Sequence, residues 1–214
     1  MGENFMKLVC FSAQLGTGKD VAADYLCPKL NDLNLGRWER TAFADAVKNL
    51  FCNAFGVDRN FIENWKRNPE PPPRMEKNVR QALQFIGDGF RTIQGDIWIE
   101  IALREENKQF VLSDSRYINE ARHVHHKGGI NVVLYRPGFL NDDPNPSEAQ
   151  IIPIVEWCLN TQKEGAINHN IGNGPDGIEF YDYFLMNDGT IDDFYSKIDR
   201  LLIPYVQQKY SYST

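Results

Sequence analysis

Residues 7–11, KLVCF, form a short apolar run that stops at small and glycine-rich positions. Behind it, DVAADYLCPKL (20–30) spaces its apolar residues at helical intervals as far as Pro28. The order is strand, loop, helix. ERTAF (39–43) reads as a second strand and ADAVKNLFCNAFG (44–56) as a helix closed by Gly56. The prolines of NWKRNPEPPPRMEK (64–77) exclude either element there, so this stretch is an exposed connection. Helical spacing returns from Glu76 to about Ile93, and DIWIEIALREEN (96–107) predicts another helix with Asp96 at its N-terminus. QFVLSDSR (109–116) is a buried strand running into a polar loop, INEARHVHHKGG (118–129) a helix and INVVLYRPG (130–138) a strand. Between Pro137 and Phe180 regularity is lost in segments rich in Asn, Gly, Pro and Asp, a composition of surface loops or flaps. YDYFLMNDGT (181–190) supplies a last strand and turn, and IDDFYSKIDRLLIPYV (191–206) a last amphipathic helix. Alternating strands and helices of this kind predict an α/β fold with a parallel sheet covered on both faces.

Composition narrows the picture. The 214 residues, 42% of them hydrophobic, suffice for one medium-sized domain with small insertions. A formal net charge of -6 argues against nucleic-acid binding through a broad basic face, because phosphate neutralisation dominates such affinity. The four cysteines, Cys10, Cys27, Cys52 and Cys158, show neither C-x-x-C pairing nor zinc spacing, and His123, His125 and His126 lack the i, i+4 separation of a helical zinc pair. With no signal-peptide pattern and no segment of membrane-span length, the expectation is a cytoplasmic protein with reduced thiols and no membrane partner.

The loop between the first strand and helix carries the clearest chemistry. AQLGTGKD (13–20) follows the pattern of a phosphate-binding loop, with Ala13 where a first glycine is usual and Asp20 in place of the terminal hydroxyl. A strand-to-helix loop aims several backbone N–H groups at one point, where the helix dipole also favours an anion. Gly16 and Gly18 let the backbone curl, and Lys19 would reach the β- and γ-phosphates. Ala13 is tolerable if its position needs no positive φ. Asp20 can ligate Mg²⁺ directly or through water, or it can merely favour the helix N-terminus, with GTG as a plain turn.

SAQLGTGKDVAADYL, VRQALQFIGD, DIW, VLSDSRYINEA, VVLYRPG, PSEAQIIPI and LMNDGTIDDFYSKI occur in the order found in bacteriophage deoxynucleoside monophosphate kinases of the T-even type, which this sequence resembles over nearly its whole length. That family also carries Asp after the loop lysine. Its more frequent glycine at the Ala13 position is a departure here.

The resemblance implies a P-loop NTPase of nucleoside monophosphate kinase type. Its parallel five-stranded sheet would be formed by a core of about 5–56, 108–136 and 181–208, with a substrate-binding helical insertion at 57–107 and a lid or irregular region at 137–180. It further implies ATP and Mg²⁺ as cofactors, a deoxynucleoside monophosphate as acceptor, and homodimer assembly, for which apolar positions on the final helix are candidates. Residue by residue, it implies a catalytic set of Lys19, Asp114, Arg116 and Arg136, in which Asp114 binds metal through water or positions the substrate, Arg116 clamps a phosphate and Arg136 is a second phosphate clamp or a lid hinge. It also implies that Asp20 holds Mg²⁺ directly or through water. Ala13, Gln14, Leu15, Gly16, Thr17, Gly18, Lys19, Asp20 and Val21 would hold ATP, with Asn187 and Gly189 near adenine. Phe43, Asp45, Lys48, Arg80, Gln84, Trp98 and Glu148 would join Asp114 and Arg116 around the acceptor.

Each residue has a plainer use: Phe43 and Trp98 as packing, Asp45 and Lys48 as helix capping, Gln84 on a solvated surface, Asp114 and Arg116 as a surface pair, and NDGT as a turn with a helix cap. Glu120, one turn after Arg116, can serve to orient it. Two other functions stay open at this level. Animal phosphomevalonate kinases share the G-K-D loop and a similar SD[ST]R motif, and a nucleotide-binding regulatory module could keep the same residues without transferring phosphate.

Overall fold

The structure is a computed structural model describing residues 6–139, 146–171 and 173–211, the side chains of 146–148 excepted. It divides into two compact units, one made of residues 1–41 and 105–214 and the other of residues 42–104. In chain order the elements are β1 (Leu8–Ser12), α1 (Lys19–Asp32), β2 (Trp38–Thr41), α2 (Phe43–Phe55), α3 (Arg59–Trp65), α4 (Val79–Ile93), α5 (Ile97–Ala102), β3 (Gln109–Ser115) and α6 (Ile118–His126). They continue with β4 (Ile130–Tyr135), α7 (Pro146–Thr161), β5 (Gly165–Ala166), β6 (Tyr183–Met186), α8 (Ile191–Lys197), a π-helical turn (Ile198–Leu202) and α9 (Ile203–Ser211).

The first unit is built on one sheet of order β2-β3-β1-β4-β6-β5. Five strands run parallel, as expected, and the two-residue β5 adds an antiparallel edge beside β6. All five residues of β1 are buried, which is the mark of a strand covered on both faces. Alternate residues serve opposite faces. Val9, Phe11, Val132 and Leu134 pack with Ala22, Ala23 and Leu26 of α1 and with Leu202 and Val206 near the other end of the chain. Val133 and Phe184 face the other way, onto Ile151, Ile154, Val155 and Cys158 of α7. Each fully buried side chain of this size contributes roughly 1.5–3 kcal/mol. Tyr210 closes the start of β1: its hydroxyl accepts from Leu8 N at 3.0 Å and donates to Leu8 O at 2.7 Å.

Helices α1 and α7 depart from the sequence pattern, and a π-helical turn at Ile198–Leu202 interrupts the expected last helix. Helix α1 passes through Pro28 and continues to Asp32. Proline removes one donor from the ladder, but Leu30 beyond it is buried, and Asn31 ties the helix end to β2 by accepting from Trp38 N and donating to Trp38 O. Helix α7 occupies part of the stretch expected to be irregular, again with a proline inside, Pro153.

The second unit is helical, with a core of Phe51, Ile62 and Val79. Local chemistry sets its boundaries. Gly56 ends α2 at φ 64°, Asp58 caps α3 by accepting from Phe61 N at 2.8 Å, and Asn78 and Gln81 form a reciprocal capping box at the start of α4. Asp96 stands at the N-terminus of α5 as expected, but that helix stops at Ala102.

Candidate active site

Because β1 lies between β3 and β4, the strand order reverses around it, and the loop leaving its C-terminal end sits where open α/β sheets bind ligands. Residues 13–18 occupy this place. Gly16 and Gly18 take φ of 83° and 102°, conformations that suit glycine, and Gly18 leads directly into α1. Ala13 is fully buried in the core, and among the described residues only Asn34 and Arg74 combine a side chain with positive φ. The alanine therefore meets the condition on which its presence depended.

The loop is tied to itself and to the next turn of the fold. Thr17 Oγ1 donates to Gln14 O at 2.9 Å, and Asn187 Nδ2 donates to Thr17 O at 2.9 Å. Lys19, only 4% exposed, folds back so that Nζ donates to the same Gln14 O at 3.2 Å. An ammonium is thus held over a backbone curl at the start of a 14-residue helix. Both the charge and the N–H groups favour an anion. Leu15 and Val21 are exposed, so their share in the loop is their backbone. Phe139 lies against Gly16, where a Cβ would collide with its ring, and the guanidinium of Arg136 stands 4.9 Å from that ring's centre.

Asp20 is engaged. Its Oδ1 accepts from Ser113 Oγ at 3.0 Å and from Arg40 NH2 at 2.6 Å. Both bonds fall on one oxygen of a side chain that is 70% exposed, so Oδ2 is accessible to Mg²⁺ or its water. Among the described residues no group of three or more His, Cys, Asp or Glu is arranged to hold a metal by protein ligands alone. An ion shared with phosphate oxygens and water needs only one or two carboxylates, and Asp20 fits that requirement.

Asp114 and Arg116 stand at the C-terminal end of β3, both partly buried. Glu120, buried at the start of α6, accepts from the backbone N–H groups of Arg116 and Tyr117 at 2.8 and 3.1 Å. It orients the Arg116 turn through the main chain. Asn187 and Gly189 follow β6, where Thr190 caps α8 and Asp193 returns the bond in a capping box. A cavity of ≈ 620 Å³ opens beside this turn, lined by Asp188, Gly189, Asp193, Ser196, Lys197 and Arg200.

In the helical unit, Arg80 is exposed and Gln84 half-buried, one turn apart on α4. Asp45 accepts from Arg59, both at its carboxylate and at its carbonyl, and lies 3.8 Å from Lys48. Phe43 is buried. Trp98 is buried too, donates from Nε1 to Gly87 O at 2.9 Å, and walls a mainly apolar cavity of ≈ 340 Å³ with Ala46, Leu50, Phe90 and Ile101. The side chain of Glu148 lies outside the described residues. Sequence reasoning passed over Arg40 and Ser113. Their only signal was polar side chains on two strands, with partners 20 and 93 positions away at Asp20.

No family model matches the chain. A protein of Acanthamoeba polyphaga mimivirus named "Putative deoxynucleotide monophosphate kinase" is 26% identical over 212 residues, covering 90% of this chain and 94% of its own. The resemblance read from the sequence holds. A second relative, "Uncharacterized protein ORF76" of Ictalurid herpesvirus 1 (strain Auburn), is 20% identical over 172 residues, 75% of this chain and 62% of that protein. Among solved structures, the APS kinase CysC of Mycobacterium tuberculosis overlaps 93% of this chain at a TM-score of 0.39 and 15% identity, with 98% of its own length covered. A sugar kinase from Janibacter sp. HTCC2649 overlaps 94% at 0.37 and 11%, again with 98% of its own length covered. At these scores the overlap adds nothing to the P-loop fold already evident from the strand order and the phosphate loop. Among the described residues no helix is long and apolar enough to cross a membrane.

Proposed function

We propose that the protein transfers the γ-phosphoryl group of ATP to a deoxynucleoside 5'-monophosphate, giving ADP and the deoxynucleoside diphosphate. The observation that carries this reading is Lys19, buried and bonded to Gln14 O inside a loop whose two glycines have positive φ and which opens α1. The mimiviral relative's name points to the same acceptor class. In the reaction an oxygen of the monophosphate forms a bond to the γ-phosphorus as the bond from that phosphorus to the β,γ-bridging oxygen breaks, and the electron pair leaves with ADP. The transition state is loose, so the protein's task is to align two anions and neutralise charge.

In this reading the loop N–H groups and Lys19 hold the β- and γ-phosphates. Arg116, placed by Glu120, stabilises the group in transit, and Asp114 and Arg136 flank it. Asp20 holds Mg²⁺ through Oδ2 or through water, and the ion supplies further charge neutralisation when bound. Arg80 takes the acceptor phosphate and Gln84 its base or sugar. Phe43, Asp45, Lys48, Trp98 and Glu148 complete the acceptor's surroundings, and Asn187 and Gly189 those of adenine. Such an enzyme would feed phage DNA precursor synthesis in the cytoplasm of a bacterial host.

The test is ADP release with ATP and Mg²⁺ against a panel of dNMPs, NMPs and phosphomevalonate. Turnover with at least one dNMP is expected. Silence across the nucleotides with turnover of phosphomevalonate would move the acceptor to another class, and ATP binding without any turnover would make the protein a nucleotide-binding module.

A further inference from the structure

Arg40, on β2, joins two carboxylates of α1 that stand one turn apart. Its NH2 lies 2.6 Å from Asp20 Oδ1, and its NH1 lies 2.8 Å from Asp24 Oδ1. The same NH2 donates to Ser113 Oγ at 3.2 Å, and that hydroxyl donates to Asp20 Oδ1 at 3.0 Å. Ser113 is 1% exposed and belongs to β3, the strand paired with β2. Two adjacent strands therefore fix the basic and hydroxyl partners, and α1 brings the acids to them.

An exposed ion pair contributes little to stability, so the main effect of this one is on the charge and direction of Asp20 rather than on the fold. In the ordinary loop a neutral hydroxyl follows the lysine. Here a carboxylate does, one residue from the ammonium meant for a polyphosphate. Unbalanced, it would repel the anion that Lys19 attracts.

We propose that Arg40 is a positioning residue of the phosphate site. It offsets part of the charge of Asp20, sharing its single charge with Asp24, and turns Oδ1 toward Ser113, so that a carboxylate can stand in the hydroxyl's place at less cost to nucleotide binding. The inference rests on the reading of residues 13–20 as the nucleotide-phosphate loop.

Binding of a fluorescent ATP analogue, measured in EDTA so that no divalent cation contributes, tests it. In the otherwise unaltered protein, Arg40→Met is expected to weaken binding about tenfold, and Arg40→Lys to restore most of the loss. In an Asp20→Ser background the same Arg40→Met change is expected to cost only about threefold, because Asp24, one turn farther along α1, is then the one carboxylate of the pair left unbalanced. Arg40→Gln gives the same comparison if the methionine variant does not fold. Equal losses in the two backgrounds, or no rescue by lysine, would overturn the role assigned to Arg40 while leaving the phosphate loop in place. Failure of the unsubstituted protein to bind the analogue would overturn the phosphate-loop reading, and this inference with it.

Discussion

On the proposed function, the loop at 13–19 and helix α4 of the helical unit would solve recognition in different ways. Around residues 13–19 the acceptors are the backbone carbonyls of Gln14 and Thr17, the side chains of Thr17 and Lys19 are buried, and Asn187 clamps the curl from the turn after β6. On α4 of the helical unit the candidate anion ligand, Arg80, is a long exposed side chain, and Phe85 and Ile93 on the same helix are exposed as well. A cradle of main-chain N–H groups is ordered before its ligand arrives, whereas an exposed arginine must exchange solvent for its ligand. The first should bind its anion at little ordering cost. The second should discriminate through contacts formed only when the acceptor is present.

The sharpest way to break this contrast is Lys19→Met. Turnover is expected to fall on the order of a hundredfold to a thousandfold with the near-ultraviolet circular dichroism unchanged, since on the proposed function a charge that neutralises the transferred group is removed. Activity like that of the unsubstituted protein would remove the loop from the chemistry. Next comes Arg80→Ala, for which the KM of the monophosphate should rise about tenfold while the KM of ATP stays within about twofold. A matching rise in the KM of ATP would show that the two recognitions are not separate.

The smallest effect compares the units by their thiols. Burial pushes the Cys158 thiol of the sheet unit up to about 12 and raises that of Cys10, so at pH 8 neither supplies much of the reactive thiolate. Cys52, in the helical unit, is only half-buried. Iodoacetamide followed by peptide mapping should modify Cys52 first and reach Cys10 and Cys158 only after denaturation. Early labelling of Cys158 would mean that the packing of α7 on the sheet opens readily.

What could be read from the sequence was whatever depends on near neighbours. The strand, glycine curl and helix at 8–32 declare themselves by local periodicity and by φ requirements, and Gly56 ends α2 as a glycine should. Helix α7 was hidden because Pro153 and the Asn- and Pro-rich approach to it outweighed a helical signal that was present: Ile151, Ile154, Val155 and Cys158 are spaced for one face, and all are buried. Arg40 was hidden for a different reason. Nothing local distinguishes an arginine on a short strand, and its meaning appears only when β2 and β3 lie side by side and bring it, with Ser113, to the first turn of α1.

The hydroxyl clamp of Tyr210 on Leu8 has a consequence for biosynthesis. It joins positions 202 apart, which at about 5–20 residues per second separates their appearance on the ribosome by roughly 10–40 s. Strand β1 is translated before β3 and β4, its partners on either side, and before the clamp that closes its start. The helical unit is instead one uninterrupted run of chain, 42–104, whose elements emerge together. The nascent protein thus carries an apolar strand awaiting its sheet while a later-made unit can already pack.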